Sequence, residues 1–160
     1  MYKCEHFGIA EITPPALHAK FGEKLWSLFD ERLLMTLDAL RKQFGTCTIN
    51  DWSWGGAYKD SGLRDENFYS STQAYLNSRS QHKYGRAADC KFKNVSAQEV
   101  RKYILQHPEQ FPYITFIECA PLNNGSDMNW VHIDVRNGDL TCWSPVEGVI
   151  DKREVIRRKL

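Results

Sequence analysis

The sequence predicts an α+β fold in which N-terminal helices pack on a small, mainly antiparallel sheet. Helical periodicity lies mostly in the first third of the chain, and short strand-like runs joined by hairpin-like turns follow it. Helices first and strands later are typical of α+β domains. A length of 160 residues matches one ordinary domain, so we expect a single domain over residues 1–160.

The helical region begins at Pro14-Pro15. From Glu31 to Phe44, leucines and the final phenylalanine recur at helical spacing, which predicts one amphipathic helix. Gly45 follows at the position where a left-handed helix cap is expected. An apolar cluster at residues 25–29 predicts a shorter helix packed against the first.

Strand patterns begin after Gly45. Residues 46–49 are short and rich in β-branched side chains, and residues 87–92 form a second strand-like run. Between them, residues 51–80 are rich in Gly, Ser, Asn, Asp and Tyr and show little periodicity. Loops of this length are uncommon in compact domains and tend to be functional.

One helix and several strands are predicted in the second half of the chain. Ser96 and Glu99 form a capping box, which predicts a helix that ends before Pro108. Asn137-Gly138 is a type I′ turn signal and predicts a hairpin that leads into a last strand. The predicted strands are 113–119, 130–135 and 140–143, and a short exposed helix is predicted at 151–160.

Charge and hydropathy argue against several classes of protein. The 21 basic and 20 acidic residues give a net charge of +1 and are mixed along the chain, so we expect no nucleic-acid partner. No run approaches the ~20 apolar residues that span a bilayer, so we expect no membrane insertion. The N-terminus lacks the apolar segment of a signal peptide, which predicts synthesis in the cytoplasm. The five cysteines contain no CxxC pair, which argues against a zinc knuckle.

Two histidines and an aspartate form the clearest candidate site. His82 precedes a glycine turn, Asp89 lies seven residues later, and His132 stands in a predicted strand. Two imidazoles and one carboxylate are a ligand set that Zn²⁺ accepts, with a fourth position open for water as in catalytic sites. The spacing alone leaves a structural role for these residues open.

Two motifs resemble the zinc D-alanyl-D-alanine carboxypeptidase family, whose fold is the hedgehog/DD-peptidase fold. The first is Ser-x-His-x-x-Gly-x-Ala-x-Asp at residues 80–89, and the second is Trp-Val-His-Ile-Asp at residues 130–134. Residues 61–64, Ser-Gly-Leu-Arg, resemble a third segment of the family, with Leu63 in place of the usual aromatic residue. The resemblance covers about residues 31 to 143.

The resemblance implies roles for individual residues. It implies that His82, Asp89 and His132 bind Zn²⁺. It also implies that Arg64 faces the scissile carbonyl or a substrate carboxylate, and that Ser80 helps to hold the substrate. In the implied reaction, Arg64 stabilises the developing oxyanion.

The resemblance also implies a biological role. The implied activity is that of a zinc metallopeptidase acting on bacterial peptidoglycan, either as a D-Ala-D-Ala carboxypeptidase or as an L-Ala-D-Glu endopeptidase. Without a signal peptide, the chain resembles phage-encoded members, which reach the cell wall through holins or as virion components. We expect a monomer unless the protein is part of a virion.

The general base departs from the family pattern. Many members carry a glutamate three residues before the last zinc-binding histidine, where this chain has Asn129. If a turn near Gly125 closes a hairpin, residues whose numbers sum to about 250 face each other, which places Glu118 opposite His132. We therefore predict that Glu118 is the general base. Two alternatives stay open: Glu118 is a solvated residue of an edge strand, or a register shift of one residue turns it away from the metal.

Asp134 and Asp127 are further candidates. Asp134 follows His132 by two positions and therefore shares its strand face, so we expect it to orient a zinc ligand or a loop. It also has a secondary claim on the role of base. Asp127 is a weaker candidate and is expected to be a turn residue.

Two other functions stay open on the sequence. Asn129 leaves room for a catalytically inactive zinc-binding module, structural or wall-binding, for example in a phage tail. Comparing wall hydrolysis by the wild type and by Glu118→Gln distinguishes this module from a peptidase. A metal-dependent nuclease is the second alternative, against which the near-neutral charge argues, and plasmid nicking with and without a chelator tests it.

Overall fold

The predicted α+β class is confirmed. The computed structural model describes residues 1–119 and 128–160, and this part contains five α-helices and one six-stranded mixed sheet. The helices are α1 (Pro15–Phe21), α2 (Glu31–Phe44), α3 (Thr72–Asn77), α4 (Ala97–Gln106) and α5 (Lys152–Arg158). The strands are β1 (Cys47–Thr48), β2 (Ala87–Phe92), β3 (Phe116–Glu118), β4 (Val131–Asp134), β5 (Thr141–Ser144) and β6 (Gly148–Ile150).

Helix α2 has the bounds that its periodicity predicts. Asp30 caps its N-terminus by accepting a hydrogen bond from the backbone N–H of Arg32. Gly45 ends it with a φ of +80°, a conformation that favours glycine. The apolar face of α2 is buried in the core and includes Leu33, Leu34, Leu37 and Leu40. The shorter helix predicted upstream forms as a 3-10 helix, Gly22–Leu28.

Helix α4 begins at the predicted capping box, in which Ser96 and Glu99 bond each other's backbone N–H groups. Its fully buried Arg101 donates to the carbonyl oxygens of Trp130 at 3.1 Å and of Leu160 at 2.9 Å. The C-terminal helix α5 exposes Lys152, Arg153 and Arg157, as its charges predicted, whereas its Val155 and the following Leu160 are buried in the core.

The strand order β1-β2-β4-β3-β5-β6 corrects the predicted C-terminal hairpin. Strand β5 does not pair with β4 across Asn137-Gly138; it pairs in parallel with β3, and the other pairs in the sheet are antiparallel. Both edges of β4 are occupied, by β2 and by β3, so β5 reaches only the free edge of β3. A further strand, β6, follows β5 and was not predicted.

The register between β3 and β4 agrees with the predicted one. Phe116 pairs with Asp134 and Ile117 with Ile133, so the residue numbers of each pair sum to 250. Continuing this register by one residue places Glu118 opposite His132. Strand β3 has partners on both sides, so the alternative in which Glu118 stands on an edge strand is wrong. The connecting turn, with Gly125 and Asp127, lies outside the described residues.

The two faces of the sheet have different roles. Along β4, Val131 and Ile133 point into the hydrophobic core, whereas His132 and Asp134 belong to the opposite face. The region 51–80 contains α3 and two short 3-10 turns rather than continuous loop. Among residues 1–119 and 128–160, no helix combines the length and apolar character needed to cross a bilayer.

Candidate metal centre

His82, Asp89 and His132 converge on one point of the sheet face. The nitrogen His82 Nε2 lies 3.2 Å from His132 Nδ1 and 3.4 Å from Asp89 Oδ1. The third separation, between His132 Nδ1 and Asp89 Oδ1, is 2.7 Å. Asp89 and His132 are directly paired across β2 and β4, which explains why residues so distant in the chain meet here.

The three donor atoms fit a divalent metal ion of the zinc type. Two donors that each lie about 2.05 Å from a tetrahedral zinc ion are about 3.3 Å apart. The two separations made by His82 Nε2, 3.2 and 3.4 Å, match this edge length. The 2.7 Å separation is shorter and is the distance of a hydrogen bond between His132 and Asp89. Two imidazoles and one carboxylate also leave a fourth tetrahedral position open.

His82 is fixed in the tautomer that a metal ligand needs. Its Nδ1–H donates to the carbonyl oxygen of Gly62 at 2.7 Å, so Nε2 carries the lone pair that faces Asp89 and His132. The residue stands in a 3-10 turn, Gln81–Tyr84, that ends at Gly85 with a φ of +63°. A Cβ at Gly85 would also lie 2.3 Å from the Leu28 carbonyl oxygen, so both the backbone conformation and this close approach require glycine.

Arg64 holds the second oxygen of Asp89. Its Nη2 donates to Asp89 Oδ2 at 2.9 Å, and its Nε donates to the carbonyl oxygen of Asp60 at 2.7 Å. The guanidinium lies over the ring of Phe68, 4.4 Å from the centroid. Arg64 thus leaves Oδ1 of Asp89 directed at the two histidines. Its predicted contact with a substrate carbonyl or carboxylate stays a prediction.

Asp134 lies next to His132 on the side of the ring away from the other two donors. Its Oδ2 lies 3.6 Å from His132 Nε2, the ring nitrogen that does not face the other donors. The carboxylate is completely buried and is paired with the guanidinium of Arg136, whose Nε donates at 2.8 and 3.0 Å. This is the orienting position expected for Asp134. A carboxylate already committed to two cationic partners is poorly placed to act as a base.

The electrostatics keep the three donors in distinct protonation states. Burial lowers the pKa of His82, which favours the neutral imidazole that metal binding requires. Burial alone would lower the pKa of His132 too, but the neighbouring carboxylates of Asp134 and Asp89 raise it to about 9. Burial likewise opposes ionisation of Asp89, yet the hydrogen bond from His132 and the nearby ring of His82 hold the pKa of Asp89 well below the ordinary range.

Glu118 lines a cleft of about 480 Å³ beside the three donors, which we call the Glu118 cleft. His132, Phe116, Trp143 and Arg136 line it as well. The side chain of Glu118 is half-buried, and this burial raises the pKa of its carboxyl group. A carboxylate with a raised pKa next to a cationic site is a stronger base than an ordinary carboxylate.

The other candidates occupy different places. Ser80 lines the Glu118 cleft together with Gln81, whose buried Oε1 has no hydrogen-bond partner within the described residues. Asn129 is exposed and lines another cleft of about 390 Å³, with Lys91 and Tyr58. Position 129 therefore does not line the Glu118 cleft, although the family pattern would place the general base at this position.

The Ser-Gly-Leu-Arg segment forms the frame of the centre. The carbonyl of Ser61 accepts from the backbone N–H of Asp89 at 2.8 Å, and the N–H of Leu63 donates to the carbonyl of Ile12 at 2.8 Å. A Cβ at Gly62 would lie 2.2 Å from that same Ile12 oxygen. Leu63, which stands in place of the usual aromatic residue, is itself buried and packs in the core.

Arg136 is the functional candidate that the sequence patterns did not single out. It lies four positions after His132, and alternation along an extended chain would have placed it on the same face. Strand β4 ends at Asp134, however, so the direction of Arg136 depends on its ion pair and on its stacking over Phe116.

Comparison of the chain with protein-family models, curated proteins and solved structures gives no match. Its functional interpretation therefore depends on the geometry of this centre and on the motif resemblance.

Proposed function

We propose that this protein is a zinc metallopeptidase that hydrolyses peptide bonds in bacterial peptidoglycan. The observation that carries the proposal is the convergence of His82, Asp89 and His132, whose ligand atoms all lie within 4.8 Å of one another. A half-buried glutamate in the adjoining cleft adds the proton carrier that amide hydrolysis needs.

Three side chains would hold the ion. His82 offers Nε2, His132 offers Nδ1 and Asp89 offers Oδ1, each backed by a hydrogen bond or ion pair on its other polar atom. When bound, Zn²⁺ supplies a Lewis acid for the scissile carbonyl and lowers the pKa of a coordinated water. Ligands with such support keep their orientation during turnover.

Glu118 carries the proton in this mechanism. Its carboxylate accepts a proton from the attacking water as the new C–O bond forms, and then donates that proton to the amine as the C–N bond breaks. Its raised pKa favours the first transfer, because a carboxylate with a higher proton affinity is the stronger base. Arg64 keeps Asp89 ionised and oriented throughout, and Ser80 lies at the cleft wall where a substrate amide can bond it.

The test combines metal analysis with mass spectrometry of digested peptidoglycan. We expect about one zinc per chain, and products that differ from intact stem peptides by hydrolysis of a D-Ala-D-Ala or an L-Ala-D-Glu bond. The His132→Ala variant should contain no zinc and release no products, whereas His6→Ala, at an exposed histidine, should match the wild type. Zinc binding without any hydrolysis would favour the inactive binding module.

A further inference from the structure

Arg136 is an arginine of the Glu118 cleft that the proposed mechanism does not use. Its guanidinium lies over the Phe116 ring, with 3.8 Å between Cζ and the ring centroid. Its Nε and Nη2 both donate to Asp134, whose side chain is 0% exposed. The guanidinium is therefore held in one orientation before any ligand arrives, and a group fixed in this way loses little freedom on binding.

One edge of the Arg136 guanidinium is available to bind a ligand. Whereas Nε and Nη2 bond Asp134, Nη1 donates to no acceptor within residues 1–119 and 128–160. The side chain is 39% exposed, and it lines the cleft that Glu118 also lines. A planar pair of N–H groups beside an open cleft is the arrangement that binds a carboxylate with two hydrogen bonds.

Arg64, the cation expected to meet a substrate carboxylate, is engaged elsewhere. Its Nη2 and Nε bond Asp89 and the Asp60 carbonyl, and Phe68 covers its plane. Moving Arg64 to a substrate would release one oxygen of a metal ligand. Arg136 can bind a carboxylate without disturbing any of the three donor residues.

We infer that Arg136 binds the free α-carboxylate of the residue whose amine leaves, and that the cleft thereby selects its substrates. This inference rests on the proposed function, in which Glu118 donates a proton to that amine. Two residues along a strand, such as Phe116 and Glu118, are about 6.7 Å apart. A residue with about 2.5 Å between amine nitrogen and carboxylate carbon is short enough to lie between the two side chains, with a hydrogen bond at each end.

The inference defines one substrate class that unites the two candidate bonds. In D-Ala-D-Ala the residue after the scissile bond is terminal, and in L-Ala-D-Glu the glutamate is linked onward through its side chain. Both therefore carry a free α-carboxylate next to the leaving amine, whereas an ordinary internal peptide bond carries an amide there. Phe116 and Trp143, whose ring centroids are 6.1 Å apart, provide apolar surface for the carbon atoms of that residue.

The test compares carboxylate and carboxamide ligands on the zinc-loaded wild type. NMR titrations with N-acetyl-D-alanine and N-acetyl-D-alaninamide should give an affinity about tenfold or more higher for the carboxylate, as for a charge-assisted pair of hydrogen bonds. The carboxylate should also shift the Nε–Hε signal of Arg136. Equal affinities, or an unmoved Arg136 signal, would overturn the inference.

Variants separate Arg136 from a carboxylate bound by the metal. Arg136→Gln should lose the preference and raise KM for stem peptides, Arg136→Lys should keep part of it, and Arg153→Gln, at an exposed arginine of α5, should keep all of it. A preference that survives in folded Arg136→Gln overturns the assignment. If stem peptides are cleaved but the two ligands bind equally, this inference fails alone. If the carboxylate binds more tightly but nothing is cleaved, the proposed function fails alone.

Discussion

Glu118 is the single residue whose replacement should separate metal binding from catalysis. Glu118→Gln preserves the shape of the side chain but removes its capacity to accept a proton. Hydrolysis of stem peptides should fall by about 10²- to 10⁴-fold, while zinc content stays that of the wild type because Glu118 is not among the three donors.

The control for this substitution is Glu109→Gln, which changes an exposed carboxylate on the 3-10 turn Pro108–Gln110. It should leave turnover unchanged. Turnover is measured by release of amino groups from purified stem peptides, with zinc determined on the same samples. Full activity in Glu118→Gln would show that another group carries the proton.

At the same scale, the sequence indicated some site residues much better than others. His132 and Asp89 could be recognised because a short motif fixes each one, and the sheet then pairs them directly. Glu118 required the register between two strands, and the observed pairs agree with the predicted register. Arg136 could not be assigned, because its direction follows from a tertiary stacking contact with Phe116 that no local pattern encodes.

At the scale of elements, Gly62 joins two segments that build the centre. Its carbonyl accepts from His82, and a Cβ in its place would lie 2.2 Å from the Ile12 carbonyl oxygen. Gly62→Ala should therefore push the Ser61–Arg64 segment outward, lowering the free energy of unfolding by about 1–3 kcal/mol and weakening zinc binding as His82 loses its support.

Gly8→Ala is the matched control for this substitution. Its Cβ would meet only Glu11 Oε2, at an ordinary contact distance of 3.5 Å, and its backbone is extended. Denaturant unfolding and zinc titration of both variants check the prediction. If the two alanine variants behave alike, close packing at Gly62 does not support the centre.

Asp30 links helix α2 to the turn that carries His82. It caps α2 through Arg32, pairs with the guanidinium of Arg32 at 2.7 Å, and lies 3.5 Å from that of Arg86, while its own N–H donates to the Gly85 carbonyl at 3.1 Å. The hydrogen bond from Arg32 is the main reason that the pKa of Asp30 is lowered. Asp30 therefore stabilises the fold fully above its unfolded-state pKa of about 3.9, and this stabilisation is lost as pH falls through the lower folded-state value.

Asp30→Asn keeps a capping side chain but removes this charge. At pH 7 it should lower the free energy of unfolding by about 0.5–1 kcal/mol, and the difference from the wild type should shrink as pH falls below the unfolded-state pKa of about 3.9. Urea unfolding across this pH range gives the measurement, and Asp139→Asn, at an exposed aspartate, is the control. A difference that stays constant with pH would mean that the charge of Asp30 is not what matters.

Element boundaries followed local signals closely where those signals were complete. Helix α2 and strand β2 have their predicted bounds, and the capping box of α4 is formed as expected. The predicted partner of β5 was wrong because a turn signal such as Asn137-Gly138 shows that the chain reverses but not which strand edge is free. Helix α5 was predicted to be exposed because it is highly charged, and the burial of its Val155 was not predicted.

At the scale of the whole molecule, the two faces of the sheet have different roles: one packs in the core and the other carries the candidate site. Its core-facing side chains belong to one continuous hydrophobic cluster that also includes residues of α2, α4 and α5. The opposite face carries the polar donors Asp89 and His132, which are paired across β2 and β4. Asp89, His82 and His132 bring two imidazoles and a carboxylate into contact, so an ion bound there would join the central strands to the turn Gln81–Tyr84.

Zinc should therefore stabilise the entire fold. An ion at 100 times its Kd adds about 2.7 kcal/mol to the free energy of unfolding, which corresponds to a Tm increase of about 5–10 °C for a chain of this size. Differential scanning calorimetry with zinc and with excess chelator measures the difference for each variant separately. His132→Ala should show no zinc-dependent shift, because one of three donors is gone, whereas the exposed-site variant His6→Ala should shift like the wild type. If the Tm of the wild type does not respond to zinc, His82, Asp89 and His132 do not form a metal centre and are only a hydrogen-bonded polar cluster.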